Sequence, residues 1–171
     1  MTAFVAMLRA VNVGGTAKLS SADLKKLGED CGFDNVRTFI ASGNLLFTTG
    51  LGEKAVQEKV ADAIGAYFGK PVAVHVRSAK EMAEAVAKNA FPQRPGNRVI
   101  ALFVEDKPAQ AMIDAATHVA EEEMALGPRC LYIAYDEGMG SSKLRLPTQK
   151  DGTGRNMNSV AKMAALLAEM E

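Results

Sequence analysis

Residues 35–78 read NVRTFIASGNLLFTTGLGEKAVQEKVADAIGAYFGKPVAVHVRS, and this stretch decides the fold. Two β-rich runs, Val36 to Ala41 and Leu45 to Thr49, flank the turn SGN at 42–44, whose glycine can take the positive φ of a tight hairpin. From Glu53 to Phe68 apolar residues recur every three to four positions, which predicts an amphipathic helix. The alternation VAVHVR that follows predicts another strand. The stretch is therefore strand, strand, helix, strand.

The residues before this stretch supply one more strand and one more helix. Ala3 to Asn12 is apolar on both parities, which is typical of a central strand covered on both faces. Ser20 or Ser21 can cap a helix that ends near Gly32. The first half is therefore β-α-β-β-α-β, the ferredoxin-like pattern.

The second half repeats part of this pattern. Phe91 to Arg98 contains two prolines and a Pro-Gly-Asn turn, which indicates a linker. Val99 to Tyr135 then reads as strand, helix, strand, strand, and an amphipathic helix closes the chain. We expect an α/β protein of the α+β type, with a ferredoxin-like half and a linking helix at 1–90 and a partial ferredoxin-like β-α-β-β half with C-terminal helices at 91–171. The two halves could also form one compact unit.

Composition excludes several classes of protein. The 171 residues are 48% hydrophobic, and twenty basic side chains balance twenty acidic ones, so no overall field draws the protein to nucleic acid or to an anionic membrane. The apolar N-terminus lacks the basic region of a signal peptide and is too short to span a bilayer. Cys31 and Cys130 are far apart and have no CxxC spacing. We expect a reduced, cytoplasmic protein without membrane contact.

The familiar catalytic motifs do not occur. His75 and His118 are the only histidines, and neither stands in an HExxH or a nucleophile-histidine context. His75 alternates within a strand and is expected to be structural. The glycine-rich segment 138–143 lacks the spacing of GxGxxG and of a Walker loop. The sequence therefore assigns no catalytic residue, no metal site and no cofactor.

Three segments combine asparagine, glycine and basic residues: 9–15, 138–143 and 152–158. Arg9 shares an apolar strand face and needs an anionic partner, either an internal carboxylate or a ligand phosphate or carboxylate. The glycines before two of the helices leave backbone N–H groups free to bind an anion. Asparagine caps and glycine turns explain the same residues structurally, so both interpretations stay open. The candidate ligand-binding residues are Arg9, Asn12, Gly14, Gly15, Lys143, Arg155, Asn156 and Asn158.

Four pieces of the chain carry a resemblance to a known family. They are LRAVNVGG at 8–15, NVRTFIASGNLLF at 35–47, GMGSSKL at 138–144 and GTGRNMNSVAKM at 152–163. With them the chain resembles the bacterial domain-of-unknown-function family 1697, which implies an α/β fold with ferredoxin-like halves and brings no established activity. The family usually has glycine at Ala10 and tryptophan at Met157, where a tryptophan could stack on a ligand ring.

The function expected from these residues is binding of a small anionic ligand, phosphate-bearing or nucleotide-like, in a cleft between the halves. One alternative is single-stranded nucleic-acid binding through the sheet, which the scarcity of strand aromatics makes the weaker interpretation. The other is a protein-interaction module without a small-molecule site.

Three structural expectations follow. Arg9 should be mostly buried and should face an acid or an anion. The Arg155 segment should begin a helix whose N–H groups point into a depression shared with Lys143 or with the Asn12 loop. The first and third strands should run parallel, which would place the SGN turn a strand length from Gly14 and make it a purely structural turn.

Overall fold

The computed structural model describes residues 1–11, 18–39, 43–137 and 139–171. The chain divides into two compact units: unit 1 comprises Met1–Lys80 with Met163–Glu171, and unit 2 comprises Glu81–Lys162. Each unit contains a four-stranded antiparallel sheet. The expected α+β class with two related halves is confirmed.

Unit 1 has the predicted β-α-β-β-α-β order. Its elements are β1 (Thr2–Leu8), α1 (Ser21–Asp30), β2 (Asp34–Thr38), β3 (Asn44–Thr49), α2 (Glu53–Phe68) and β4 (Val74–Ser78). The strands lie in the order β2-β3-β1-β4, as in a ferredoxin-like sheet. Helix α1 begins after Ser20, whose hydroxyl accepts a hydrogen bond from the Asp23 N–H at 3.0 Å, as predicted for an N-cap.

The central strands β1 and β3 of the first sheet are buried on both faces. On one face, apolar side chains of α1 and α2, including Leu24 and Val60, pack with Phe4 and Phe47 in one core cluster. The Phe47 ring also stacks on Phe33 with 4.0 Å between the ring centroids. On the opposite face, the residues of β1 that alternate with Phe4 are also fully buried. The prediction of a central strand covered on both sides is therefore confirmed.

Helix α3 (Ala79–Ala87) runs from the end of unit 1 into unit 2. Unit 2 then contains β5 (Val99–Phe103), α4 (Gln110–Asp114), β6 (Glu123–Gly127), β7 (Cys130–Ala134) and β8 (Thr153–Asn156), and α5 (Met157–Met170) follows β8. Three short 3-10 turns, Gly96–Arg98, Met139–Ser141 and Pro147–Lys150, connect these elements.

Strand β8 corrects the sequence prediction, which placed a helix start at this segment. The second sheet has the order β6-β7-β5-β8 and so matches the first sheet strand for strand. Short turns stand between β7 and β8, where unit 1 has the helix α2 between β3 and β4. The second half is therefore a complete four-stranded sheet rather than the expected β-α-β-β fragment.

Backbone hydrogen bonds show how closely the two sheets correspond. The Leu8 N–H donates to the Gly43 carbonyl at 2.9 Å, and the Val104 N–H donates to the Arg129 carbonyl at 3.1 Å. The two accepting residues share a positive φ, 79° for Gly43 and 56° for Arg129. The expected duplication thus extends to the geometry of equivalent turns. Within the described residues, no helix has the length and apolarity needed to cross a membrane.

Candidate functional site

The end of β1 is the best-defined candidate site in unit 1. Strand β1 pairs antiparallel with β3, and Met7 lies opposite Asn44. Gly43 therefore lies beside the end of β1, where a Cβ built on it would be 3.0 Å from the Leu8 Cβ and 3.3 Å from the Val11 Cβ. The expected parallel pairing was wrong, and with it the separation of the SGN turn from the end of β1.

The physical reason lies in the chain path. Helix α1 returns the chain so that β2 runs in the direction of β1, and the following hairpin reverses β3. Antiparallel pairing of β1 with β3 follows, and the turn before β3 falls at the end of β1 rather than at its start. The described residues do not include Asn12, Gly14, Gly15 or Ser42. The distance from Gly43 to Gly14 therefore stays a prediction.

Polar side chains line the sheet face opposite the helices at this end. Met7 lies between Asn44 of β3 and His75 of β4 in the sheet register, so the three residues form one row. Asn44 is fully buried, and its side-chain amide donates to the Phe39 carbonyl at 3.0 Å across the turn. His75 is 1% exposed. Asn44 and His75 lie about 10 Å apart, because adjacent strands are about 4.8 Å apart.

Arg9 extends the same face beyond this row. It has the parity of Met7, and its backbone N–H donates to the Ala73 carbonyl at 3.0 Å, which continues the β1–β4 pairing. Arg9 is mostly buried, as predicted. We call Arg9, Gly43, Asn44 and His75 the β1-end cluster.

The residue after Arg9 has an unusual backbone. Ala10 has φ 56°, in the left-handed region, where a Cβ clashes with the carbonyl oxygen that follows it. Glycine has no such clash. Ala10 therefore has a side chain where the backbone favours glycine, directly beside the β1-end cluster.

We expect replacement of Gly43 to destabilise the protein for two reasons, its positive φ and its close approach to Leu8. Variants at two other glycines distinguish these causes. We expect Gly43→Ala to destabilise the protein by about 2 kcal/mol, because φ is 79° and the new Cβ would crowd Leu8. Gly32→Ala has φ 84° but nothing within 4 Å, so about 1 kcal/mol is expected from the backbone alone. Gly50→Ala, with open space and no positive φ, is the neutral control. Urea unfolding of the three variants measures the difference, and equal losses for Gly43 and Gly32 would contradict the close approach to Leu8.

Arg155 occupies a strand, not the helix start that the sequence predicted. It lies in β8 opposite Ala101 and is 7% exposed. Its guanidinium donates to the Thr153 hydroxyl at 2.7 Å and to the Gly154 carbonyl at 3.0 Å. Burial lowers the pKa of Arg155 to about 10, so the side chain remains charged at neutral pH.

Arg155 has a structural counterpart in unit 1. Arg77 lies opposite Val5 in β4, as Arg155 lies opposite Ala101 in β8, and each of the two is followed by one strand residue and then a helix. Each guanidinium donates to the carbonyl of the preceding residue, at 2.8 Å for Arg77 and 3.0 Å for Arg155. Arg77 is 1% exposed. The duplication thus includes a buried arginine at equivalent positions of the two sheets.

The two candidate asparagines of unit 2, Asn156 and Asn158, flank Met157, the first residue of α5. The Asn156 side chain accepts a hydrogen bond from the Ser159 N–H at 2.9 Å and so caps the helix, as the sequence predicted for one of these residues. Asn158 is exposed, and its side chain lies against Gly96. Met157 is 5% exposed and so belongs to the protein interior.

The segment around Lys143 lies among carboxylates. Lys143 is exposed, and the neighbouring Ser141 and Ser142 line a cavity of about 120 Å³. The other residues of this cavity are Ala120, Glu121, Glu122, Tyr135, Asp136 and Glu137. A hydrogen bond to Asp136 and the charge of that side chain raise the pKa of Glu121, whereas hydrogen bonds from Ser142 and the Ala120 N–H lower the pKa of Glu122. This cavity disfavours an anion.

The candidate residues are distributed over both units. Arg9 belongs to unit 1, and Lys143 and Arg155 belong to unit 2. Sequence reasoning did not single out Arg77. The available signal was the run VHVR, which places a histidine and an arginine on one face of a strand. In the described part of the chain, no group of three or more His, Cys, Asp or Glu side chains could hold a metal ion.

Comparisons with known proteins agree with this fold. A family model described as "Protein of unknown function (DUF1697)" matches residues 1–132. The structure is similar to that of the conserved bacterial protein SP0830 from Streptococcus pneumoniae, with a TM-score of 0.80, 21% identity, and 97% of this chain and 98% of that chain covered. At this identity the likeness shows the fold alone. A search of curated proteins found no match.

Proposed function

Since the chain belongs to the DUF1697 family of proteins of unknown function, we propose from its own geometry that unit 1 binds a small anionic ligand at the β1-end cluster. The ligand class is phosphate-bearing or nucleotide-like. The observation that carries the proposal is the antiparallel register of β1 with β3, which sets Gly43 against Leu8 and Val11. In the sequence Val11 leads directly into Asn12 to Gly15, the candidate ligand-binding segment.

The side chains of the cluster suit an anion. Arg9 is mostly buried, and its planar guanidinium can bind a phosphate or a carboxylate through two parallel hydrogen bonds. His75 and Asn44 are buried in the adjoining row, where the surrounding apolar residues strengthen electrostatic interactions. Glycine at position 43 lets a ligand approach the backbone closely.

The equivalent end of the second sheet supports the choice of unit 1. There Arg129 takes the place of Gly43 and forms ion pairs with Glu81 at 2.8 Å and with Glu105 at 3.6 Å. Two carboxylates beside the turn repel an anion. The proposal does not require Lys143, Arg155, Asn156 or Asn158, which remain sequence predictions as ligand residues. Cys31 and Cys130 are both in the thiol form, which favours a reducing, cytoplasmic setting.

The nucleic-acid alternative finds less support. Base stacking on a sheet needs an exposed face with aromatic side chains. In the described strands, every residue of β1 from Ala3 to Leu8 is buried, and so is every residue of β3 and β7. These central strands therefore offer no open stacking surface.

Calorimetric titration of the full chain tests the proposal, with inorganic phosphate, a nucleoside monophosphate and a nucleoside triphosphate as probes. We expect at least one probe to bind, and Arg9→Gln to weaken its affinity by about 10- to 100-fold, as loss of a charged hydrogen-bond donor does. Arg145→Gln, a change at an exposed arginine of unit 2, is the matched control and should leave affinity unchanged. Absence of binding by all three probes, or equal losses in both variants, would contradict the proposal.

A further inference from the structure

Strand β6 is an edge strand of the second sheet, and it differs from the other edges among the described strands. Edge strands are normally protected against pairing with another chain by charge, bulges or cover. Strand β2 has exposed charged residues and a register shift between Asp34 and Arg37. Strand β4 is buried from Val74 to Arg77. Strand β8 is contacted by two 3-10 turns, Gly96–Arg98 and Pro147–Lys150.

The β6 edge, Glu123–Gly127, has less of this protection in its described residues. Its one charged residue, Glu123, stands at the end of the strand. Helix α4 contacts β6, and the α4 residues Met112 and Ile113 pack against the same core cluster as Met124.

The pairing of β6 with β7 is regular over all five residues. Strand β6 contains no proline, lysine or arginine. Leu126 is 41% exposed, and Met124 and Ala125 are half-buried. The strand is therefore regularly paired, apolar apart from Glu123, and partly exposed, which are properties that favour pairing between chains.

The direction of its free backbone groups follows from the hairpin. Gly127 and Cys130 flank a two-residue turn, so they form a hydrogen-bonded pair. Because hydrogen-bonded and non-hydrogen-bonded pairs alternate, Glu123 and Ala125 also turn their N–H and C=O groups toward β7. Met124 and Leu126 turn theirs outward, away from the sheet.

We propose that two copies of this chain associate through antiparallel pairing of their β6 edges about a two-fold axis at Ala125. In this register Met124 of one copy lies opposite Leu126 of the other, so both outward residues make hydrogen bonds and apolar side chains meet on one face. Glu123 lies opposite Gly127, which keeps the two carboxylates at opposite ends of the interface. Each Glu123 is also ion-paired with Arg94 of its own chain, so no like charges meet.

A second copy suits this edge better than an unrelated peptide. A two-fold interface requires one surface to be complementary to itself. The five-residue edge meets this condition, with its charge at one end, glycine at the other and apolar residues between them. The pairing joins two four-stranded sheets into one eight-stranded sheet.

Sedimentation velocity over a concentration series from about 1 µM to 1 mM, a range that reports weak association, tests the proposal. We expect the wild type to shift toward a dimer within this range and Leu126→Lys to remain monomeric. Val119→Lys is the matched control, since Val119 is 47% exposed and lies outside β6. A wild type that stays monomeric throughout, or a dimer that Leu126→Lys leaves intact, would overturn the proposal.

Cross-linking tests the register separately from the affinity. In a Cys31→Ser background, Ala125→Cys places two thiols at the two-fold axis in a non-hydrogen-bonded pair, where Cα atoms are about 4.5 Å apart, a separation that permits a disulfide. We expect mild oxidation to give a covalent dimer with Ala125→Cys and none with Val119→Cys. Cross-linking through Val119→Cys alone would instead show a different interface, and binding of an extended peptide to a monomeric wild type would replace the second copy as the occupant.

Discussion

Replacing Gly152 by alanine should destabilise the protein by about 3 kcal/mol, the upper part of the range for overpacking a well-packed site. Gly152 is buried and immediately precedes β8. A Cβ at this position would lie 2.8 Å from the Phe103 carbonyl oxygen and 3.0 Å from the Leu102 Cδ1. A backbone carbonyl in a paired strand cannot move aside, so β8 must shift away from β5.

Thermal unfolding measures this effect. For a chain of 171 residues, about 3 kcal/mol corresponds to a fall in Tm of about 6 to 12 °C. Gly140→Ala is the matched control, because Gly140 is exposed and has no atom within 4 Å of the added Cβ. A Tm for Gly152→Ala equal to that of the control would mean that β8 does not pack against Phe103 as described.

Strand β8 is also where sequence reasoning failed most clearly. Its four residues, Thr153–Asn156, include a glycine and have no large apolar side chain. Strand prediction depends on apolar alternation, and here the alternating buried residues are Thr153 and Arg155. Threonine, glycine and arginine are typical of exposed turns, so the local sequence does not predict a strand here. The segment becomes a strand through its pairing with β5.

Elements with strong periodicity were predicted well. Helix α2 has the predicted bounds, Glu53–Phe68, because Val56, Val60 and Ile64 form one buried stripe. Strand β1 was identified as covered on both faces because its apolar residues occupy both parities. In both cases the residue type alone specifies the environment.

The candidate site was only partly predictable. The sequence identified Arg9 and the glycine turn at 43. Their proximity, however, depends on the relative direction of β1 and β3, which was predicted as parallel and is antiparallel. The run VHVR fits a half-exposed strand as well as a fully buried one, so burial of His75 and Arg77 could not be inferred from it. Side chains on the second face of a sheet are fixed by what covers that face, and this information is not local in sequence.

The second large effect should be a loss of stability at alkaline pH, and it arises from Tyr132. Its hydroxyl donates to the Ala85 carbonyl at 2.6 Å, in the buried space between β7 and α3. Burial raises the pKa of Tyr132 well above the value of 10.0 for a free tyrosine. Burial likewise raises the pKa of Tyr135. Both phenols therefore stay protonated in the folded protein at pH values where the unfolded chain ionises.

The sign of the effect follows from proton binding. Above pH 10 the unfolded state has lost the Tyr132 proton and the folded state retains it, so the unfolded state binds fewer protons and stability falls as pH rises. Each such tyrosine contributes a slope of about 1.4 kcal/mol per pH unit. Arg155 acts in the opposite direction, because its pKa is lowered to about 10 in the folded state and the unfolded state keeps that proton longer.

Tyr132→Phe isolates the Tyr132 contribution, because Arg155 and Tyr135 are common to both proteins. At neutral pH the variant should be less stable by about 1 to 2 kcal/mol, since the Ala85 carbonyl loses its buried donor. Above pH 10, however, the free energy of unfolding should fall less steeply, by about 1.4 kcal/mol per pH unit, so the variant and the wild type converge. Tyr67→Phe is the comparison variant. A hydrogen bond to Asp23 also raises the pKa of Tyr67, but this side chain is 47% exposed, so its removal should change the slope less than Tyr132→Phe does.

Urea unfolding from pH 8 to pH 11 measures both slopes, and near-ultraviolet absorbance of the phenolates provides an independent readout. The protein has three tyrosines and no tryptophan, so the absorbance change reports tyrosine ionisation without interference. In the folded wild type the Tyr132 phenolate should form only as the protein unfolds, and the Tyr132→Phe variant should lack that part of the signal. If all three tyrosines ionise near pH 10 while the protein remains folded, the Tyr132 hydroxyl is accessible to water and the hydrogen bond to α3 is absent.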